Sequence, residues 1–141
     1  MVALARKMDL FTIVYVSSPE EAKAMAQAGA DAIIAHVGTT VGGSIGVTGA
    51  LCTLDEAVNR CQAVINAASQ VRTDIFFLSH GGPISTPEDA AYVNERTDCV
   101  GFVGASSLER IGVEQSLVDI TQRFKAIPAP AIARFRPDQP R

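Results

Sequence analysis

The chain has two histidines, and each is followed almost at once by glycine: His36-Val37-Gly38 and His80-Gly81-Gly82. Histidine titrates near neutral pH, so it can move a proton or hold an oxyanion; a structural histidine supporting a loop is the plainer alternative. The run Gly104-Ala105-Ser106-Ser107 offers a different chemistry. Small residues let backbone amides approach an anion closely, although glycines also serve simply to make tight turns. Arg110 stands three residues further on and adds a full positive charge. The expected anion cradle is therefore Gly81, Gly82, Gly104, Ala105, Ser106 and Ser107, with Arg110 and the start of a short helix near Ser106 beside it. Thr39, Thr40 and Ser44, in the Gly-rich stretch Gly38–Cys52, are further candidate anion ligands, Thr39 and Ser44 foremost. That stretch is long for a strand–helix connection, which suits a flap over a ligand.

Other chemistries find little support. No Gly-Lys-Ser/Thr follows the glycines, and the G-x-G-x-x-G fingerprint is absent. Glu20, Glu21, Asp55, Glu56, Glu88 and Asp89 sit at predicted helix starts, where capping and the helix dipole account for them. Only Glu109 lies near the expected site, so the sequence presents no metal cluster. Cys52, Cys61 and Cys99 have no zinc-ligand spacing and read as buried thiols, with Cys52, in the long loop, the one candidate nucleophile. The net charge of −3 gives no basic excess for nucleic acid, and no apolar run is long enough to span a bilayer. Arg6 and Lys7 precede no signal-peptide core, so the expected address is cytoplasmic.

Strands alternating with helices must position these groups. Phe11–Val16, Asp31–Val37, Asp74–Leu78 and Cys99–Val103 are short β-branched and aromatic runs, hence strands. Ser18-Pro19-Glu20-Glu21, Thr53-Leu54-Asp55-Glu56 and Thr86-Pro87-Glu88-Asp89 open helices with capping boxes, and Gly29 can end the first. Leu54, Ala57, Val58, Cys61, Val64, Ile65 and Ala68 form an amphipathic stripe, as do Val113, Leu117, Ile120 and Phe124 in a last helix. Val2–Met8 is the tail of an earlier helix. Residues 1–127 form one domain; 128–141, with four prolines, form a loose tail. This alternation implies a parallel sheet, and in such sheets the strands' C-terminal ends, where both histidines and the glycine turns fall, build the site.

Ala28–Gly46, Leu78–Thr97 and Gly101–Glu114 resemble the phosphoenolpyruvate hydrolase-like family of TIM barrels, with HGGPI and GASS-x-ER the most specific strings. The resemblance extends over nearly all of Val2–Ile127. It implies a barrel where the alternation alone leaves an open doubly wound sheet equally available. It also implies the C-terminal half of a (β/α)8 TIM barrel, strands five to eight; a complete barrel needs about 250 residues, which excludes a closed barrel for one copy. It further implies a small phosphorylated or carboxylated ligand, phosphoenolpyruvate or a related 2-oxo acid. Hydrolase or lyase chemistry is the class suggested. Mg²⁺ would be held by acidic residues of the missing first half. A non-catalytic signal or interaction module is the rival reading. A half barrel leaves edges unpaired, so the expected partner is a second copy or a separate N-terminal half barrel.

Overall fold

The computed structural model describes residues 1–44, 46–49 and 52–127; the proline-rich tail expected over 128–141 lies outside them, as does part of the long loop. The element order is α1 (Val2–Lys7), β1 (Ile13–Val16), α2 (Pro19–Ala28), β2 (Ala32–His36), α3 (Leu54–Ser69), β3 (Phe76–His80), α4 (Pro87–Asn94), β4 (Gly101–Phe102), and a π-helical turn Ser107–Ile111 running into α5 (Gly112–Lys125).

Local chemistry sets the helix starts. Thr53 accepts from the Glu56 amide while Glu56 reaches back to the Thr53 amide, and Thr86 with Asp89 repeats the arrangement. Ser18 accepts from the Glu21 amide, but the returning Glu21 carboxylate takes the Ser17 amide at 2.6 Å rather than that of Ser18. Gly29, at φ 94°, ends α2 in the left-handed conformation.

The four strands pair in chain order and all run parallel. Val14, Val16, Ile33, Ala35 and Phe77 face α2 and α3 in the core, where Ala22, Ala26, Ala57 and Ala68 let the helices sit close to the sheet. Alternate residues Ile13, Tyr15 and Phe76 face the other way and stay more than half exposed. A doubly wound sheet reverses its strand order and carries helices on both faces. Here the order never reverses and the packed helices share one face, the arrangement of a (β/α)8 barrel sector. The architecture is α/β, a four-strand parallel sheet with the form of a half TIM barrel.

Two strands shift from their expected places. β3 begins at Phe76 rather than Asp74, because Arg72 clasps the Asp74 carboxylate through two 2.9 Å bonds and holds it in the turn. It runs on through Ser79 and His80, which pair with Ala35 and His36. β4 is reduced to two residues. The α5 stripe is present but uncovered: Val113, Leu117, Ile120 and Phe124 are all exposed. Cys52, Cys61 and Cys99 are free and buried. Cys52, the one candidate nucleophile, is 4% exposed with its Sγ toward the Val37 carbonyl, so it is packed rather than presented.

Candidate functional site

His36 ends β2 and His80 ends β3, and the two are direct register partners with ring centroids 5.0 Å apart. Tyr15 of β1 stands edge-on to both, at 5.8 Å from His36 and 5.1 Å from His80. Sequence reasoning missed Tyr15, because a tyrosine inside an apolar run reads as ordinary strand. Its signal was the two-residue period of a strand: Tyr15 is in register with Ile34, two residues before His36 on the same face.

The two rings are held in opposite tautomers by their backbone partners. His80 Nδ1 lies 2.7 Å from the Val103 carbonyl oxygen, which can only accept. Nδ1 therefore carries the proton, and the neutral ring keeps its lone pair on Nε2. His36 Nδ1 instead accepts from the Gly38 amide at 3.3 Å. A neutral His36 then carries its proton on Nε2. Burial, followed by the neighbouring His80, pushes the His36 pKa below the ordinary histidine value, so its neutral form dominates at pH 7. One ring offers a base and its neighbour a donor.

Glycine is required where the ends of β2 and β3 cross. Gly81 has φ 78°, and a Cβ there would lie 2.2 Å from the Gly38 oxygen. The Gly82 amide donates to that same oxygen at 2.7 Å, and the Val41 amide to the Gly82 oxygen at 3.1 Å. Gly82 thus shapes the turn and spends its amide internally, contrary to its expected part as an anion donor. The Gly104 turn lies beside His80, through the Val103 contact. Among the described residues, the amides of Gly81, Gly104, Ala105, Ser106 and Ser107 meet no protein acceptor.

The remaining candidates are placed differently. Thr39 is exposed and Thr40 buried on the loop after β2. Arg110, expected to meet an anion directly, pairs with Glu114 at 2.7 Å and donates to the Gly42 carbonyl at 3.2 Å. The Ser44 amide donates to the other Glu114 oxygen at 2.6 Å. Glu114 was not singled out in the sequence, because its partner Ser44 is 70 residues away. Among the described residues no three His, Cys, Asp or Glu side chains gather as a metal cluster. The groups around the two histidines are amides and rings rather than carboxylates, a donor set that does not fit Mg²⁺.

Known proteins place the chain in context. It matches the Phosphoenolpyruvate hydrolase-like family over residues 1–127. It is 50% identical over 128 residues to the ToMV susceptible protein tm-1(GCR26) and the ToMV resistance protein Tm-1(GCR237), both of Solanum lycopersicum. Those matches cover 90% of this chain and 17% of each tomato protein. It is 30% identical over 127 residues to the Putative transcriptional regulatory protein y4pA of Sinorhizobium fredii, covering 90% of this chain and 21% of that protein. Among solved structures, nitroalkane oxidase from Streptomyces ansochromogenes aligns at 27% identity and TM-score 0.46, over 76% of this chain and 30% of that one. The chain therefore spans a minor part of the length of the curated relatives it matches. A family match that runs from α1 to the end of the described chain makes the assignment plain: the chain belongs to the phosphoenolpyruvate hydrolase-like family.

Proposed function

We propose that the C-terminal mouth of the sheet binds a small phosphorylated or carboxylated acid, phosphoenolpyruvate or a related 2-oxo acid, and that the intact barrel hydrolyses it. One observation carries this reading: His36 and His80 stand side by side, with His36 Nδ1 at the Gly38 amide and His80 Nδ1 at the carbonyl of Val103, the residue that leads into Gly104–Ser107. The amides of Gly81, Gly104, Ala105, Ser106 and Ser107 take the anion, with Thr39 at the rim. His80 Nε2 accepts a proton from water as its oxygen attacks phosphorus. The P–O bond to the enol breaks, inorganic phosphate leaves carrying the water oxygen, and the enolate takes at carbon the proton that His80 received, giving pyruvate and restoring the neutral His80. The His36 Nε2–H stabilises the developing enolate oxygen.

Incubation with phosphoenolpyruvate tests the enzymatic reading. Release of pyruvate and phosphate in equal amounts is expected, lost in His80→Asn. Saturable binding with no turnover points instead to a ligand-binding module. The exposed sheet face of Ile13, Tyr15 and Phe76 favours that module, because it suits assembly with a further four-strand half. In either reading the face is covered by a second copy or by another half barrel, so that the free edges of β1 and β4 are paired. Three unpaired, buried thiols suit a reducing compartment, which supports a cytoplasmic setting.

A further inference from the structure

Glu114 makes an unusual connection for a helical carboxylate. Its Oε1 takes Arg110 at 2.7 Å, an ordinary pairing four residues apart that joins the π-helical turn to α5. Its Oε2 instead takes the Ser44 amide at 2.6 Å, in the Gly-rich loop after β2. Arg110 closes the connection by donating through both terminal nitrogens to the Gly42 carbonyl at 3.2 Å. The pair is well covered, with side chains 21% and 20% exposed.

The loop is shaped around these two side chains. Gly43 has φ 77°, and a Cβ there would fall 2.2 Å from Arg110 Nη1 and 2.7 Å from Glu114 Oε2. A Cβ on Gly46 would meet the Gly42 oxygen at 1.9 Å. Guanidinium, backbone amide and glycines in close approach are the parts from which oxyanion sites are made. The carboxylate resident there shows which chemical group the parts accept. Arg110 and the Ser44 amide both lower the Glu114 pKa, so the resident group is an anion at neutral pH.

We propose that Arg110 and the Ser44 amide form an oxyanion seat filled by the chain's own Glu114, and that a phosphate or carboxylate ligand binds there by displacing it. The seat deepens the ligand reading given above, since it lies on the loop that follows His36 and on the helix that follows Gly104–Ser107. It assigns Glu114 the part of a built-in competitor. A tethered carboxylate competes at high effective concentration, so it sets the ligand level needed to fill the seat.

The test uses the whole chain, ¹⁵N-labelled, titrated with inorganic phosphate and followed at the Ser44 amide and the histidine ring protons. Glu114→Gln keeps the shape and removes the charge. The seat predicts that Glu114→Gln binds phosphate about tenfold tighter than the parent at the Ser44 amide. Arg110→Gln in the same background abolishes that gain, and the retained dispersion of each spectrum verifies folding. Equal or weaker phosphate affinity at Ser44 in Glu114→Gln overturns the seat. The histidine signals report the other reading separately: Ser44 shifting while both rings stay still keeps the seat and removes the histidine mouth as the ligand site.

Discussion

His36 and His80 share a face and a register position, yet their roles diverge because one Nδ1 meets a carbonyl and the other an amide. Replacing His80 by Asn removes the only free imidazole lone pair at the mouth. Turnover of phosphoenolpyruvate is expected to fall by about 10²–10⁴-fold, with binding changed little; a variant as active as the parent contradicts the assignment of the base. His36 has a pH consequence of its own. Its folded pKa is depressed, so the unfolded chain binds more protons as pH falls through the ordinary histidine range of about 6.5. The fold therefore loses stability on acidification through that window, and the loss is complete below the folded pKa. Urea unfolding at pH 7.5 and 5.5 should show a smaller difference for His36→Asn than for the parent. The lowered pKa values of Asp31, held by Thr12, and Asp74, held by Arg72, act further down. Their stabilisation is present above the ordinary carboxylate range and disappears as pH falls through the folded values. The histidines could be picked out from the sequence, because strand ends announce themselves by the glycines that follow. Tyr15 and Glu114 were not legible: one needed strand alternation resolved to the residue, the other a contact between distant segments.

The elements follow closely from local signals where capping and periodicity agree, as in α2, α3 and α4. They depart where a distant contact intervenes. β3 starts late because Arg72 holds Asp74, and its extra residues, Ser79 and His80, are recruited by pairing with β2. That extension is what seats His80 opposite His36. The glycine crossing locks the two strand ends together, so Gly81→Ala meets both a positive φ and the Gly38 oxygen. A cost of about 1–3 kcal/mol is expected, with the His36 and His80 ring signals displaced. Denaturant midpoints and the histidine spectrum check this, and an unchanged midpoint contradicts the crossing's importance. Ile33, fully buried between β2 and the helices, supplies a contrast. Ile33→Ala is expected to cost about 2–5 kcal/mol while leaving the relative placement of the two rings intact. The stripe on α5 was readable as amphipathic, but periodicity cannot say what covers it, and in this structure its apolar residues face solvent.

At the scale of the whole molecule, an all-parallel sheet with helices on one face leaves Phe11, Ile13, Tyr15 and Phe76 uncovered. All-parallel sheets are normally covered on both faces. Association is therefore expected: light scattering should give a mass above the 14.8 kDa of one chain, and Ile13→Glu should return it to the monomer. A sharp monomer with cooperative unfolding contradicts this. The α/β class was legible because strand and helix alternate, but that alternation suits an open doubly wound sheet as well as a barrel, and it was the family resemblance that implied the barrel. Which surfaces remain open is decided by packing that no local pattern encodes. The central claim is that these strand ends converge on one anion-binding mouth. Its most direct test is a titration of the labelled chain with phosphoenolpyruvate, followed at the His36 and His80 ring protons and the Ser106 and Ser107 amides. The account predicts that all four move together and saturate at a single ligand concentration. Saturable binding that leaves the two rings and the Ser106–Ser107 amides unmoved, or no binding at millimolar ligand, contradicts it.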